Sequence, residues 1–581
     1  MATACIKKYL IGDQQYPFFW NYQMSKKTIL IVGGVAGGAT AAAHARRLSE
    51  EAEIIIFERG PYVSFANCGL PYYVGGEITE KEDLMVQTPE NLLCRFNLDV
   101  RVMSEVTTID PNGKRIEITA ANSNEKYWQS YDELILSTGA KPLKPPIPGI
   151  DRPGHFTVRG IPDVEAINGW ITSQKAQRAV VIGGGFIGLE MAEQLQKSGL
   201  QVSVVEAIAQ VMSPLDLEMA GWLHKELQAH EVALYLGDPV AQFNSPDKKE
   251  PAAASIVELK SGAQLPADVV ILGLGVQPET GLAKNAGLTI GEKGGIQVNE
   301  FLRTSDPHIW AIGDAIEVQD FITHERVLIP LAGPANRQGR IVAENILGEP
   351  IKYPGTCGTS ILRLFDCTVA STGTNEKTLR RLNLQYEVVY LHPPSHATYY
   401  PGAHKLAMKI LFHPENGKLL GAQIAGQDGV DKRIDVLATA LKAGMTVHDL
   451  EDLELAYAPP FGSAKDPVNL AGMVAQHVVH HDIQNAQWHE VDNLNPKETI
   501  LLDVRDNDEH GKGFIPGSKN IPLPELRKRV DELPKDKEII VYCQTGQRSY
   551  FACRLLTQKG FKAKNLSGAY RTWEIAKNNN L

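Results

Sequence analysis

Two stretches of this chain repeat one pattern of strand, glycine turn, helix, strand and acid, and few folds accommodate it. In the first, the β-branched run Thr28 to Val32 enters Gly33-Gly34-Val35-Ala36-Gly37-Gly38 and then an alanine-rich segment. A second apolar run, Glu53 to Phe57, ends at Glu58, about 20 residues beyond Gly38. Val35 stands where the GxGxxG pattern has its middle glycine, so this copy is the weaker. The second copy is complete: Ala179 to Ile182, then Gly183-Gly184-Gly185-Phe186-Ile187-Gly188, then Gln201 to Val205 and Glu206. Such a turn presents backbone N–H groups and the positive end of a helix to a pyrophosphate, and the acid accepts hydrogen bonds from a ribose. A carboxylate at Glu206 repels a 2′-phosphate, which favours NADH and leaves NADPH as an admissible second donor.

At 581 residues the chain exceeds a single core, so three or four domains are expected. With a net charge of −10, neither nucleic acid nor an anionic membrane is the expected partner. No apolar run approaches the roughly 20 residues of a membrane-spanning helix. The seven cysteines (Cys5, Cys68, Cys94, Cys357, Cys367, Cys543 and Cys553) are scattered and never form CxxC. A disulfide scaffold or structural zinc site is therefore not expected, and a reducing cytoplasm is the expected setting. The residues before Met24 lack the apolar core of a signal peptide, so 1–25 reads as an extension without a folded role. His477 and His481 have helical spacing, but no acid or cysteine completes a metal shell, and no metal is expected.

Cys68 is the chemically pointed residue. It lies in Ser64-Phe65-Ala66-Asn67-Cys68-Gly69-Leu70-Pro71-Tyr72-Tyr73, just after the first unit, and the next cysteine, Cys94, is too far along to be an adjacent partner. Pro71 suits the first turn of a helix, and a thiol at a helix N-terminus is expected to have a lowered pKa. Two further strands end in turns, Tyr131 to Thr138-Gly139-Ala140 and Ile309 to Gly313-Asp314.

In this order of parts, residues 26 to 470 resemble the pyridine nucleotide–disulfide oxidoreductase family. The resemblance implies an α/β chain with two Rossmann-like domains, the FAD domain being split by the NAD domain, and an α+β dimerisation domain. Asp314 then meets the FAD ribitol, and Arg59, Val106 and Gly275 join the cofactor contacts. The Ser-Phe-x-x-Cys arrangement is similar to the single-cysteine branch, and the surrounding segment to its coenzyme A-disulfide reductases. Ser395-His396-Ala397-Thr398-Tyr399-Tyr400-Pro401-Gly402 and Ala456-Tyr457-Ala458-Pro459-Pro460 match segments that bring tyrosines to the thiol from the partner of a homodimer. The resemblance implies Tyr399 or Tyr400, together with Tyr457, as groups that protonate a departing thiolate. It implies Ser64, Asn67, Arg47, Asn336 and Arg95 as coenzyme A contacts, Arg95 standing beside a position where the family often has lysine.

From Thr499, Leu501 to Arg505, Gly513 to Ser518, Ile539 to Ser549 and Gly568 to Trp573 resemble a rhodanese domain, itself α/β. Cys543 leaves a buried strand into a loop whose N–H groups are expected to converge on the sulfur, while Arg548 adds a cation. The expected organisation is an extension at 1–25, the FAD domain at 26–145 and 277–345, and the NAD domain at 146–276. The dimerisation domain follows at 346–475, a linker at 476–494 and the rhodanese domain at 495–581. The expected function is reduction of coenzyme A disulfide, its persulfide or polysulfide by NADH, with sulfane sulfur handled at Cys543. An NADH oxidase or peroxidase cycling through a Cys68 sulfenic acid stays open, as does a redox-sensing flavoprotein.

Overall fold

Twin parallel sheets carry the two glycine units. The computed structural model describes residues 26–246 and 254–577, so the 1–25 extension lies outside the described residues. The first sheet runs Ile309–Ala311, Glu133–Leu136, Thr28–Val32, Glu53–Phe57, Asp99–Arg101, all parallel. The second runs His155–Phe156, Val269–Leu272, Arg178–Ile182, Gln201–Glu206, Ala233–Leu236 in the same sense. Their central strands read as continuous apolar runs because both faces are covered, by helices and by a three-stranded antiparallel sheet in each unit. The chain leaves the first sheet and returns to it through a short antiparallel ladder, Ala140–Pro142 against Val276–Pro278. Among the described residues no helix is long and apolar enough to cross a membrane.

A five-stranded antiparallel sheet follows, ordered Ser360–Leu364, Cys367–Gly373, Leu419–Gly426, Ala407–Phe412, Glu387–Leu391. The last domain is again parallel: Gln484–Ala486, Lys562–Leu566, Glu538–Tyr542, Thr499–Asp503, Lys519–Asn520. Its edge strand corrects the reading of 476–494 as a linker. Gln484, Asn485 and Ala486 pair with Lys564, Asn565 and Leu566, so this domain's sheet begins inside that range. His477 is engaged as well: Nδ1 lies 3.2 Å from Asp482 and Nε2 3.1 Å from the Tyr550 hydroxyl. A polar strand with few apolar residues carries no periodic signal, so only pairing reveals it.

This last domain is docked, not dangling. The Ser567 hydroxyl accepts from the Tyr390 N–H at 3.0 Å, Thr572 meets His392 at 2.9 Å, and the Arg571 guanidinium lies 4.9 Å above the Trp222 ring. Beside that junction Lys409 is fully buried. Its Nζ donates to Asp216 at 2.8 Å, Glu218 at 2.6 Å and Glu376 at 2.5 Å. Tyr390 donates to Glu218 at 2.8 Å and Gln423 to Asp216 at 2.8 Å. Burial works against every charge here, yet the Lys409 charge overrides it and holds Glu376 down to about 2. Asp216 and Glu218 belong to the NAD-type unit, and Lys409 and Glu376 to the antiparallel domain, so the cluster joins the two. Lys409→Met leaves the carboxylates buried without their cation and should cost about 3–5 kcal/mol. A fall of several degrees in the thermal midpoint of the full chain checks this, and an unchanged midpoint would refute it.

Candidate functional site

The two nucleotide units are built alike, down to single hydrogen bonds. Gly33 has φ +96° and Gly183 φ +104°, and in each case a Cβ would lie 2.2 Å from a backbone oxygen, of Ser137 or Gly273. Only glycine permits that approach of turn to neighbouring strand. Val35 and Gly185 occupy the N-cap positions, so Ala36 and Phe186 open their helices, with Ile187 next. Gly38 and Gly188 press onto Gly33 and Gly183, where an added Cβ would sit 1.9 Å from the carbonyl oxygen. Glu58 accepts from the N–H of Gly34 at 3.1 Å and of Gly60 at 2.9 Å. Glu206 accepts from Gly184 at 2.7 Å and Ile208 at 3.1 Å. Both acids are thus fixed beside the glycine turn, where a ribose would lie.

Around the first unit, the Thr138 hydroxyl donates to the Glu279 carbonyl at 2.7 Å and Gly139 turns at φ +69°. Arg59 pairs with the Glu279 carboxylate at 3.1 Å, joined there by Lys141 and Arg159. Val106 is buried in the strand Ser104–Asp110 and Gly275 turns at φ +94° after Val269–Leu272. Burial alone pushes the Asp314 carboxyl up to about 6, the condition of an acid lacking its polar partner. These turns, the placed acids and the desolvated Asp314 fit one dinucleotide at each unit, FAD at the first.

Cys68 is exposed, on one 3-10 turn (Asn67–Gly69) running into the five-residue helix Leu70–Val74. The expected lowering of its thiol pKa is overturned. Burial first, then the charges of Glu190 and Asp314, push it up, and one backbone hydrogen bond does not compensate. A single tight turn also supplies little of a long helix's dipole. Ser64 is buried at the strand behind it, and Asn67 is exposed beside it.

Glu190 is the residue that the sequence reading missed. It sits on the helix Phe186–Lys197, and burial foremost, with Glu193 as a neighbouring charge, raises it to about 7 although Tyr72 donates to it at 3.4 Å. Tyr72 is one helical turn from Cys68, and Tyr72 and Glu190 line one cavity of about 550 Å³ with Arg363, Asp428 and Asp431. Acids on the inward face of an otherwise apolar helix were the available signal.

The two tyrosine segments come together: the Tyr399 and Tyr457 hydroxyls are 2.7 Å apart, and both rings are exposed, with Phe461 and Tyr400 beside them in the same pair of loops. Tyr400 also sets its ring edge on His396. Arg47 is exposed and contacts His44 at 3.1 Å, whereas Arg46 is buried on four backbone carbonyls. Asn336 is exposed and accepts from the Thr40 hydroxyl at 2.5 Å, across the contact between helices Ala36–Leu48 and Ala332–Leu347. Arg95 is exposed on Pro89–Phe96.

Cys543 ends the strand Glu538–Tyr542 and is buried. The Gly546 N–H reaches its sulfur at 3.2 Å and the Ser549 hydroxyl at 3.6 Å. Arg548, the cation expected at this loop, is ion-paired: both of its terminal nitrogens donate to Glu509, at 2.6 and 2.7 Å. Cys553 is buried, and burial raises its thiol far above the ordinary value.

Comparison with known proteins agrees with this architecture. The family description "Pyridine nucleotide-disulphide oxidoreductase" matches residues 27–339, that family's dimerisation domain 360–467, and a rhodanese-like domain 487–576. A coenzyme A disulfide reductase of Staphylococcus haemolyticus is 35% identical over 78% of this chain and 99% of its own length. The solved structure of reduced Bacillus anthracis CoADR-RHD is 52% identical, with TM-score 0.92 over 95% of this chain and 98% of that one. A NAD-dependent persulfide reductase from A. fulgidus is 38% identical, with TM-score 0.87 over 94% of this chain and 100% of that one. Two matched dinucleotide units, an antiparallel dimerisation sheet and the match over 27–339 place this chain in the pyridine nucleotide-disulphide oxidoreductase family, with a rhodanese domain at its C-terminal end.

Proposed function

We propose that this protein uses NADH to reduce coenzyme A disulfide, coenzyme A persulfide or polysulfide at Cys68, in a reducing cytoplasm and as a homodimer. The observation that carries the reading is the solitary, exposed Cys68 within the field of Glu190, with no second cysteine near enough in sequence to pair with it. The similar coenzyme A disulfide reductase and persulfide reductase support the substrate class. FAD and NADH, held at the Gly33–Gly38 and Gly183–Gly188 turns, supply the electron pair. Glu206 favours NADH, because its carboxylate repels a 2′-phosphate.

The net reaction joins NADH, one proton and RS–SR′ to give NAD⁺, RSH and R′SH. Cys68 holds one half of the substrate as a mixed disulfide while the other half departs as a thiolate. Tyr399 and Tyr457 are exposed and hydrogen-bond each other rather than Cys68 of their own chain, which suits their delivery to the partner's thiol. A phenol hydroxyl there donates a proton to the departing sulfur. Arg47, Asn336 and Arg95, all exposed, suit the phosphates of coenzyme A, with Ser64 and Asn67 lining the thiol side. Cys543, with the Gly546 N–H on its sulfur, suits storage of sulfane sulfur as a persulfide.

Cys68→Ser should retain bound flavin, read from its visible absorbance, while coenzyme A disulfide turnover falls on the order of 10³-fold or more; undiminished turnover would sink the mechanism. Tyr457→Phe should lower kcat about 10²-fold or more, and mixing it with Cys68→Ser protomers should restore activity through heterodimers. Failure of that complementation would place the tyrosine within its own subunit. Glu190 yields a pH effect with a definite sign. Its folded-state pKa of about 7 exceeds the usual 4.5, so folded protein binds the proton longer. The destabilisation is absent below about pH 4.5, grows through this window and is complete above about pH 7. Glu190→Gln should flatten that loss in denaturation series between about pH 5 and 8, and Cys68 alkylation, followed by peptide mass spectrometry, should begin at lower pH.

A further inference from the structure

The loop around Cys543 is ringed by arginines, and the prominent ones are already committed. Arg548 is clamped by Glu509 through two hydrogen bonds of 2.6 and 2.7 Å, with Asp506 3.5 Å away. Arg505 is buried on Asp503 at 2.7 Å and also donates to Gln544, the residue after Cys543, at 3.1 Å. Arg571 donates its backbone N–H to Gln544 but turns its guanidinium onto Trp222. Glu509 is itself fixed. It closes a capping box on the helix Asn507–Gly511, accepting from the Asp506 N–H at 3.2 Å, so its carboxylate is aimed at Arg548 by the fold. Arg548 interacts electrostatically with Cys543 as well as with Glu509 and Asp506, so its guanidinium is within electrostatic reach of the sulfur.

Sulfur donors differ in the charge they bring to this loop. With thiosulfate, Cys543–S⁻ attacks the outer sulfur of S–SO₃²⁻; one S–S bond forms, one breaks, and sulfite leaves as SO₃²⁻. With an organic persulfide, Cys543–S⁻ takes the terminal sulfur of R–S–S⁻ and R–S⁻ leaves. The first delivers a compact dianion to the thiolate and needs a free cation; the second brings a single charge to the reacting end. We propose that Glu509 sets the donor class of this domain: by occupying Arg548 it discriminates against thiosulfate and reserves Cys543 for organic persulfides. This rests on the reading of Cys543 as the sulfur-accepting thiol, and Glu509 is a specificity-determining residue that acts through Arg548.

The test uses the full-length flavoprotein, thiosulfate or glutathione persulfide as donor, and cyanide as acceptor, with thiocyanate measured. Glu509→Gln keeps the capping acceptor but removes the charge. It should raise kcat/KM for thiosulfate about fivefold, the scale of one partly exposed ion pair, and leave the persulfide value within about twofold. The gain should vanish in the Glu509→Gln, Arg548→Met double variant, because the freed cation is its source. Equal gains with both donors, no gain with thiosulfate, or a gain that survives loss of Arg548 each overturn the proposal. Thiocyanate formed undiminished by Cys543→Ser would instead overturn the underlying reading of Cys543.

Discussion

Lys409 is the point at which the separate domains become one body. Its ammonium is buried among carboxylates, two of them from a neighbouring unit, and the desolvation it suffers is offset only while all three acids stay in place. Tyr390 links this cluster to the last domain: its hydroxyl donates to Glu218, and its backbone N–H donates to Ser567. The positions of Cys68, on the first unit's side, and Cys543, in the last domain, therefore share a common frame.

That frame also explains what is legible in the sequence. Glycine turns, the acids Glu58 and Glu206 and the Cys543 loop declare themselves because their partners lie within a few tens of residues and their backbone needs are narrow. Gly34, for example, meets its carboxylate partner Glu58 across only 24 positions. Contacts between distant segments leave no such trace: Lys409 meets Glu218 across 191 positions, and Tyr72 meets Glu190 across 118. The strand Gln484–Ala486 escapes a sequence reading for a related reason, being polar and recognisable only from its partner Lys562–Leu566. The sequence reveals Arg548 as a cation near the loop but not that it is held. Glu509, 39 positions away, decides that, and spacing alone cannot announce an ion pair between two helices.

The two sulfurs proposed to react sit in different surroundings. Cys68 is exposed but sits in a field of acids, so burial of its surroundings and the charges of Glu190 and Asp314 resist a lasting thiolate. Such a thiol is protected from adventitious oxidation, which needs the thiolate. Glu190, one source of that opposing charge, is itself raised to about 7 by burial. Cys543 is buried and receives the Gly546 N–H on its sulfur, with Arg548 paired to Glu509 beside it.

The contrast bears on how one chain keeps two sulfur chemistries apart. A thiol whose ionisation is opposed by neighbouring carboxylates suits a site that must release its sulfur partner on reduction, since the returning thiolate is readily protonated there. A thiol that receives a backbone N–H and a hydroxyl, as Cys543 does, suits the proposed storage of sulfur until an acceptor arrives. Both environments include residues distant in sequence, Glu190 for Cys68 and Glu509 for the Cys543 loop, the latter beside the local Gly546 N–H. Exchanging the two cysteines' neighbourhoods would exchange their chemistry, because the sulfur atoms themselves are identical and only the surrounding charges and dipoles distinguish them.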